Sequence, residues 1–205
     1  SALILLVPKP DETGESWHSV ERIAEYFDCD KRTITRWFIE LEDKELLKNK
    51  KVRCLMYYKD KEVYTSSRGG KDYDTPTTYI RKNTFLNQFF SNNPNVILDG
   101  ELYIHGKPLS YISGIVRLQD LCEKHKELQY YVYDIVDETK TFQERLKILT
   151  ELDKCMSLSS IIPNKVVVVN HENVSGKDAI IQLHNQYVSE GYEGLVIRDP
   201  NEKYK

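Results

Sequence analysis

The sequence predicts an α+β protein in two parts, a small helical unit over residues 1–48 and a mixed domain of strands and helices over residues 49–205. Three observations predict it. Apolar residues near the start recur at the helical period, the period changes to two at Val52, and the later strands and helices do not alternate as regular β-α-β units. The last point argues against a doubly wound parallel sheet. With 205 residues, 40% of them hydrophobic, the chain can bury a core in each part.

In the amino-terminal part, the stretch from Ser19 to Phe27 puts Val20, Ile23, Ala24 and Phe27 on one helical face, with Ser19 as the N-cap. Asp28-Cys29-Asp30 breaks the pattern. A second helix from Lys31 to about Leu41 turns Ile34, Phe38 and Leu41 inward and Lys31, Arg32, Thr33, Thr35 and Arg36 outward. Two short amphipathic helices around a tight turn match a helix-turn-helix, and Glu45 to Lys50 resembles the first wing strand of a winged helix. In that reading Arg32, Thr33, Thr35 and Arg36 would meet DNA. An ordinary helical hairpin competes with it, because Glu21, Glu25, Glu40 and Glu42 do not favour a phosphate backbone.

From Val52 the alternation of Val52–Tyr58 and Glu62–Ser66 around Lys59-Asp60-Lys61 predicts a β-hairpin. A helix is expected at Phe85–Phe90, halted by Ser91-Asn92-Asn93-Pro94. A buried strand at Val96–Leu98 runs into Asp99-Gly100-Glu101, and Leu102–Ile104 continues the ribbon towards Gly106-Lys107-Pro108. The remaining expectations are a helix at Arg117–Glu127, a strand at Leu128–Val136, an amphipathic helix at Thr141–Leu152, a strand at Val166–Val169, a helix at Lys177–Glu190 and a strand at Gly194–Arg198.

Composition excludes several classes. A net charge of −3 does not fit a histone-like polycation, although it permits a local basic surface. The cysteines, Cys29, Cys54, Cys122 and Cys155, lie far apart with no C-x-x-C pair, so neither a zinc site nor a disulfide framework is expected and a reducing cytoplasm is the default compartment. Leu3–Val7, the apolar run near the start, is too short for a signal segment or a membrane span. No membrane partner is expected.

Four segments of the second part carry chemistry. Ser67-Arg68-Gly69-Gly70 follows the hairpin; Val96 to Leu102 contains Asp99-Gly100-Glu101; Tyr131-Val132-Tyr133-Asp134 offers an aromatic face; and Glu190 to Arg198 contains Glu193-Gly194 and ends in Arg198. Taken singly, each is more often a surface turn or a strand with polar ends. In this order they resemble the covalent nucleotidyltransferases, the superfamily of DNA ligases, RNA ligases and mRNA capping enzymes, over roughly residues 52–205.

The resemblance implies a ligase adenylation core of antiparallel sheets with flanking helices, using ATP and Mg²⁺ on a nicked nucleic acid, double-stranded DNA foremost. In that family pattern Arg53, Arg68, Glu101, Tyr133, Glu193 and Arg198 would bind the nucleotide, and Glu101 and Glu193 would also hold Mg²⁺. Arginine matches phosphate in a fork geometry, and a tyrosine presents a π-face to adenine. The family nucleophile is a lysine in K-x-D-G-x-R, and Lys48 occupies its register. Here Lys50 and Lys51 stand where that pattern has Asp and Gly. A lysine-rich strand, another lysine absent from this sequence, or Lys9 in Lys9-Pro10-Asp11 remain alternatives for that position.

The family's later K-x-K strand and the OB-fold domain that usually follows it are absent, the sequence stopping at Tyr204-Lys205. The second domain is therefore expected to be incomplete at its carboxy-terminal end. An RNA ligase, or a non-catalytic DNA-binding protein with a degenerate nucleotide domain, are the alternative functions.

Overall fold

Strict alternation in the stretch after Val52 forces one edge of side chains inward and the other outward, and the main sheet is built on that constraint. The computed structural model describes residues 2–6, 52–158, 165–174, 177–190, 194–198 and 200–204. The expected helix-turn-helix, with Arg32, Thr33, Thr35 and Arg36, and the expected nucleophile Lys48 lie outside them, as does Glu193. In chain order the elements are β1 (Ala2–Leu6), β2 (Val52–Lys59), β3 (Glu62–Ser66), α1 (Thr78–Arg81), α2 (Thr84–Asn92), β4 (Ile97–Tyr103), α3 (Leu109–Val116), β5 (Gln129–Ile135), α4 (Phe142–Ser157), β6 (Val166–Val168), β7 (His171–Asn173), α5 (Lys177–Ser189) and β8 (Gly194–Arg198). A 3-10 turn at Glu123–Glu127 lies between α3 and β5.

The chain divides into two compact units, one of residues 1–49 with 170–202 and one of residues 50–169 with 203–205. Residues 170–202 thus group with the amino-terminal part rather than with the residues from 50 onward. In the first unit β1 lies between β7 and β8, parallel to both. The apolar run at the start thus includes a strand whose partners come from the far end of the sequence. Helix α5 buries Ile180 and Tyr187, and the Tyr187 hydroxyl donates to Glu172 on β7 at 2.6 Å.

The second unit holds a five-stranded sheet in the order β3-β2-β4-β5-β6, antiparallel from β3 to β5, with β6 parallel to β5. Val52, Cys54 and Met56 of β2 point into the core, where Leu98, Leu102, Tyr130 and Val132 meet Leu86, Phe89 and Phe90 of α2 and Leu149, Leu152 and Met156 of α4. The helices start where the sequence supplies caps. The Asn83 side chain accepts from the Leu86 N–H at 3.0 Å, and Thr141 and Glu144 form a reciprocal capping box at the start of α4.

The expected hairpin is present, with Asp60 and Lys61 both at positive φ, as a two-residue turn of this hand requires. One expected helix is displaced. Residues 117–122 are irregular, and α3 lies just before them at Leu109–Val116. Helix α3 buries Ile112, Ile115 and Val116, whereas Leu118 and Leu121 stay exposed, so packing selects the earlier segment over the one with better intrinsic propensity. Helix α2 also runs past its expected stop, through Ser91 and Asn92. Among the described residues no helix is long and apolar enough to cross a membrane.

Candidate functional site

The face of the main sheet turned away from the core carries Arg53 and Leu55 on β2 opposite Glu101 and Asp99 on β4. On β5 the register shifts between Asp99 and Gly100: Asp99 faces Asp134, Gly100 faces Val132, and Tyr133 is the extra residue of a β-bulge. The bulge re-aims Tyr133, whose hydroxyl donates to Asp99 Oδ1 at 3.2 Å. On the opposite face the Tyr130 ring lies over Gly100, and a Cβ there would sit 2.7 Å from the ring. The Tyr130 hydroxyl donates to the backbone oxygens of Cys54 (2.9 Å) and Leu98 (3.1 Å), tying the centres of β2, β4 and β5 together. A Cβ on Gly100 would also collide with the Tyr131 backbone oxygen, so the glycine of Asp99-Gly100-Glu101 is required by that carbonyl and by the ring behind it.

Asp99 is the hub of this face. Its Oδ1 accepts from Arg53 Nε at 2.8 Å and from Tyr133, and its Oδ2 accepts from Arg53 Nη2 and, at 2.8 Å, from the Tyr204 hydroxyl. Arg53 Nη2 also donates to the Tyr204 oxygen at 3.1 Å. A carboxylate offers about four lone-pair positions, and all are taken. Fully buried and saturated, Asp99 orients its neighbours and is not available as a metal ligand. The Arg53 side chain is one third exposed, and its Nη1 makes no hydrogen bond among the described residues.

These contacts fix the protonation states. The hydrogen bonds to Asp99 hold the Arg53 guanidinium well above its ordinary value, against the opposing effect of burial. Burial, reinforced by the charge of Asp99, raises Tyr133, and the charge of Glu101 adds to it. Tyr204 is raised by burial and by its bond to Asp99, while Arg68 acts in the opposite direction from within electrostatic range. Both hydroxyls remain donors through neutral pH.

Arg68 stands in an exposed turn closed by Gly70 N–H to Ser67 O (2.9 Å), Ser67 N–H to Lys71 O (2.7 Å) and Lys71 N–H to Ser67 Oγ (2.9 Å). Gly70 has φ +81°, a conformation that disfavours a side chain, so this turn explains the serine and the second glycine of Ser67-Arg68-Gly69-Gly70. Arg68 makes no hydrogen bond or ion pair among the described residues. The structure therefore brings Arg53, Arg68, Glu101 and Tyr133 together in one unit. Arg198 closes β8 in the other unit.

Two residues of this site were missed as site residues in the sequence reading. Asp99 was visible within its motif but looked like a turn former, and Tyr204 carried no signal except its place at the chain end. The chemistry of the face fits a nucleotide, with an outward guanidinium amine, an exposed arginine, an anchored aromatic ring and a buried carboxylate. Mg²⁺ bound with a nucleotide uses one or two carboxylates, phosphate oxygens and water. Asp99 has no acceptor capacity left for it, and Glu101 is the neighbouring carboxylate on the same strand.

The model of the ATP dependent DNA ligase domain matches residues 32–205, and a helix-turn-helix domain model matches residues 3–47. A DNA ligase of African swine fever virus, isolate Tick/Malawi/Lil 20-1/1983, is 33% identical over 113 residues, which cover 54% of this chain and 25% of that protein. The DNA ligase of the Badajoz 1971 Vero-adapted strain of the same virus is 33% identical over the same shares of the two chains. The chain thus spans about a quarter of the length of these viral relatives. Among solved structures, one titled Pmar-Lig_Pre. superposes with a TM-score of 0.58 at 20% identity, over 76% of this chain and 37% of that one. Chlorella virus DNA ligase-adenylate gives 0.51 at 17% identity, over 100% and 64% of the two chains. These likenesses establish the fold, and the domain match, which spans well over half of the sequence, establishes that the chain belongs to the ATP-dependent DNA ligase domain family.

Proposed function

We propose that this chain is part of an ATP-dependent DNA ligase, with the outer face of β2, β4 and β5 as its nucleotide site. The observation that supports it most is the saturated Asp99, which holds Arg53 and Tyr133 on one face while Arg53 Nη1 stays without a partner among the described residues. Tyr133, pinned by its hydroxyl, stacks on adenine. Arg53 and Arg68 take phosphate oxygens, and Arg198 is the arginine that the family pattern adds to the nucleotide-binding set. Glu101 and Glu193 hold the ribose hydroxyls and Mg²⁺, which supplies charge neutralisation for the phosphates when bound.

In this reading a lysine amine attacks the α-phosphate of ATP. A P–N bond forms, the bond to pyrophosphate breaks, and the amine loses its proton. The AMP then passes to the 5′-phosphate of a nick, and a 3′-hydroxyl displaces it as the strand is sealed. Lys48 occupies the register of that lysine.

Calorimetric titration with ATP tests the site, and incubation with α-labelled ATP and Mg²⁺ tests the chemistry. ATP binding, and label that stays on the chain in a denaturing gel and moves to nicked duplex DNA, are the expected results. A folded chain that neither binds ATP nor takes up label overturns the proposal. Substituting a nicked duplex with an RNA strand separates a DNA ligase from an RNA ligase. The helix-turn-helix match at residues 3–47 favours a second role for the amino-terminal part, contact with duplex DNA through Arg32, Thr33, Thr35 and Arg36.

A further inference from the structure

The chain leaves the second unit after Val169, runs through the first over residues 170–202 and returns at Lys203. Its return is fixed at two points. Lys203 forms a β-bridge with Thr141, and Tyr204 enters the Asp99 hub. The Tyr204 hydroxyl donates to Asp99 Oδ2 and accepts from Arg53 Nη2, while its ring lies against the Arg145 guanidinium, 5.6 Å from the ring centre. Arg145 in turn is buried and holds Asp134 through two hydrogen bonds, of 2.7 and 3.1 Å. One side chain therefore touches both arginine–aspartate pairs of the sheet. A ring that merely filled space would need no hydroxyl.

The geometry points to Tyr204 as a positioning residue for the nucleotide: through Asp99 it fixes the direction of Arg53 and, by the shared carboxylate, of Tyr133. Arg53 Nη2 is held in a triangle with Asp99 Oδ2 and the Tyr204 oxygen, which sets where Nη1 points. Without the hydroxyl, Asp99 Oδ2 loses one of its two donors and the guanidinium gains freedom to swing about the remaining bonds. This inference rests on the reading of the same face as an ATP site.

The test is a double-mutant cycle on the whole chain with ATP as the probe. Tyr204→Phe keeps the ring on Arg145 and removes only the hydroxyl, Arg53→Gln removes the group it orients, and thermal melts establish that each variant is folded. Tyr204→Phe is expected to weaken ATP binding by about five- to tenfold, the scale of the net contribution of one hydrogen bond. In the Arg53→Gln background the same change is expected to alter ATP affinity by less than about twofold, because the group it orients is gone. A purely structural role would instead give the same loss in both backgrounds. Equal losses, or a Tyr204→Phe chain that binds ATP as the parent does, overturn the inference and leave the ATP site standing. A parent chain that does not bind ATP overturns both.

Discussion

Asp99 on β4 and Asp134 on β5 are register partners at the bulge, both buried, and each is bound by its own arginine. Like charges facing across a ladder repel, and the sheet tolerates these two because Arg53 arrives from β2 and Arg145 from α4. The two pairs differ in exposure. Arg145 and Asp134 are almost completely excluded from solvent, whereas Arg53 is partly open. The closed pair therefore belongs to stability, and the open one to the proposed nucleotide site.

Arg145→Ala is expected to destabilise the second unit by about 3–5 kcal/mol, because it strands a buried carboxylate. Replacing both partners with apolar residues, Arg145→Met with Asp134→Leu, should recover most of that loss. Urea unfolding followed by circular dichroism reads both, and a double variant no more stable than the single one would refute the account.

Gly100→Ala should cost about 2–3 kcal/mol by overpacking, since the new methyl group meets the Tyr131 backbone oxygen and the Tyr130 ring. Gly114 offers the control, with open space where its Cβ would stand. The same unfolding measurement applied to Gly114→Ala should show no comparable loss.

The hairpin turn places Lys61 at φ +65° without a glycine. Lys61→Gly should therefore raise stability by about 1 kcal/mol, the cost of holding a side chain in the left-handed region. A melting temperature that stays put or falls would mean that the lost unfolded-state entropy outweighs the relieved strain.

Tyr133→Ala should weaken ATP binding by about 1–3 kcal/mol, the scale of a base–aromatic stack. The residue also carries a pH signature. Burial raises Tyr130, Tyr133 and Tyr204 above the ordinary phenol value, so above pH of about 10 the unfolded chain releases phenol protons that the folded chain keeps. Their contribution is complete below that pH and declines above it. Tyr133→Phe should reduce the alkaline slope of stability by about 1.4 kcal/mol per pH unit, one proton's worth. Urea midpoints between pH 9 and pH of about 12 read this, and equal slopes would contradict it.

If the amino-terminal part contacts DNA, replacing Arg32 and Arg36 with Ala removes about two phosphate contacts. The slope of log affinity against log salt should then flatten by roughly 0.9 per contact. An unchanged slope in a folded double variant would rule out that contact.

Local chemistry was legible in the sequence because it repeats at short range. The hairpin followed from alternation at Val52–Tyr58 and Glu62–Ser66, and the start of α4 from Thr141 and its apolar period, while Arg53, Arg68, Glu101 and Tyr133 stand out as candidates in motifs only a few residues long. Long-range pairing was not legible. The place of Asp99 as a hub depends on Tyr204, 105 residues later, and on a one-residue bulge that turns Tyr133 towards it. The position of β1 between β7 and β8 depends on partners at the other end of the chain. Alternation says which residues share a face, but register and burial say which of them touch, and those are settled only when distant segments compete for the same core. That is why α3 formed at Leu109–Val116, where a buried surface was offered, while the more helix-prone stretch after it formed only a 3-10 turn at Glu123–Glu127.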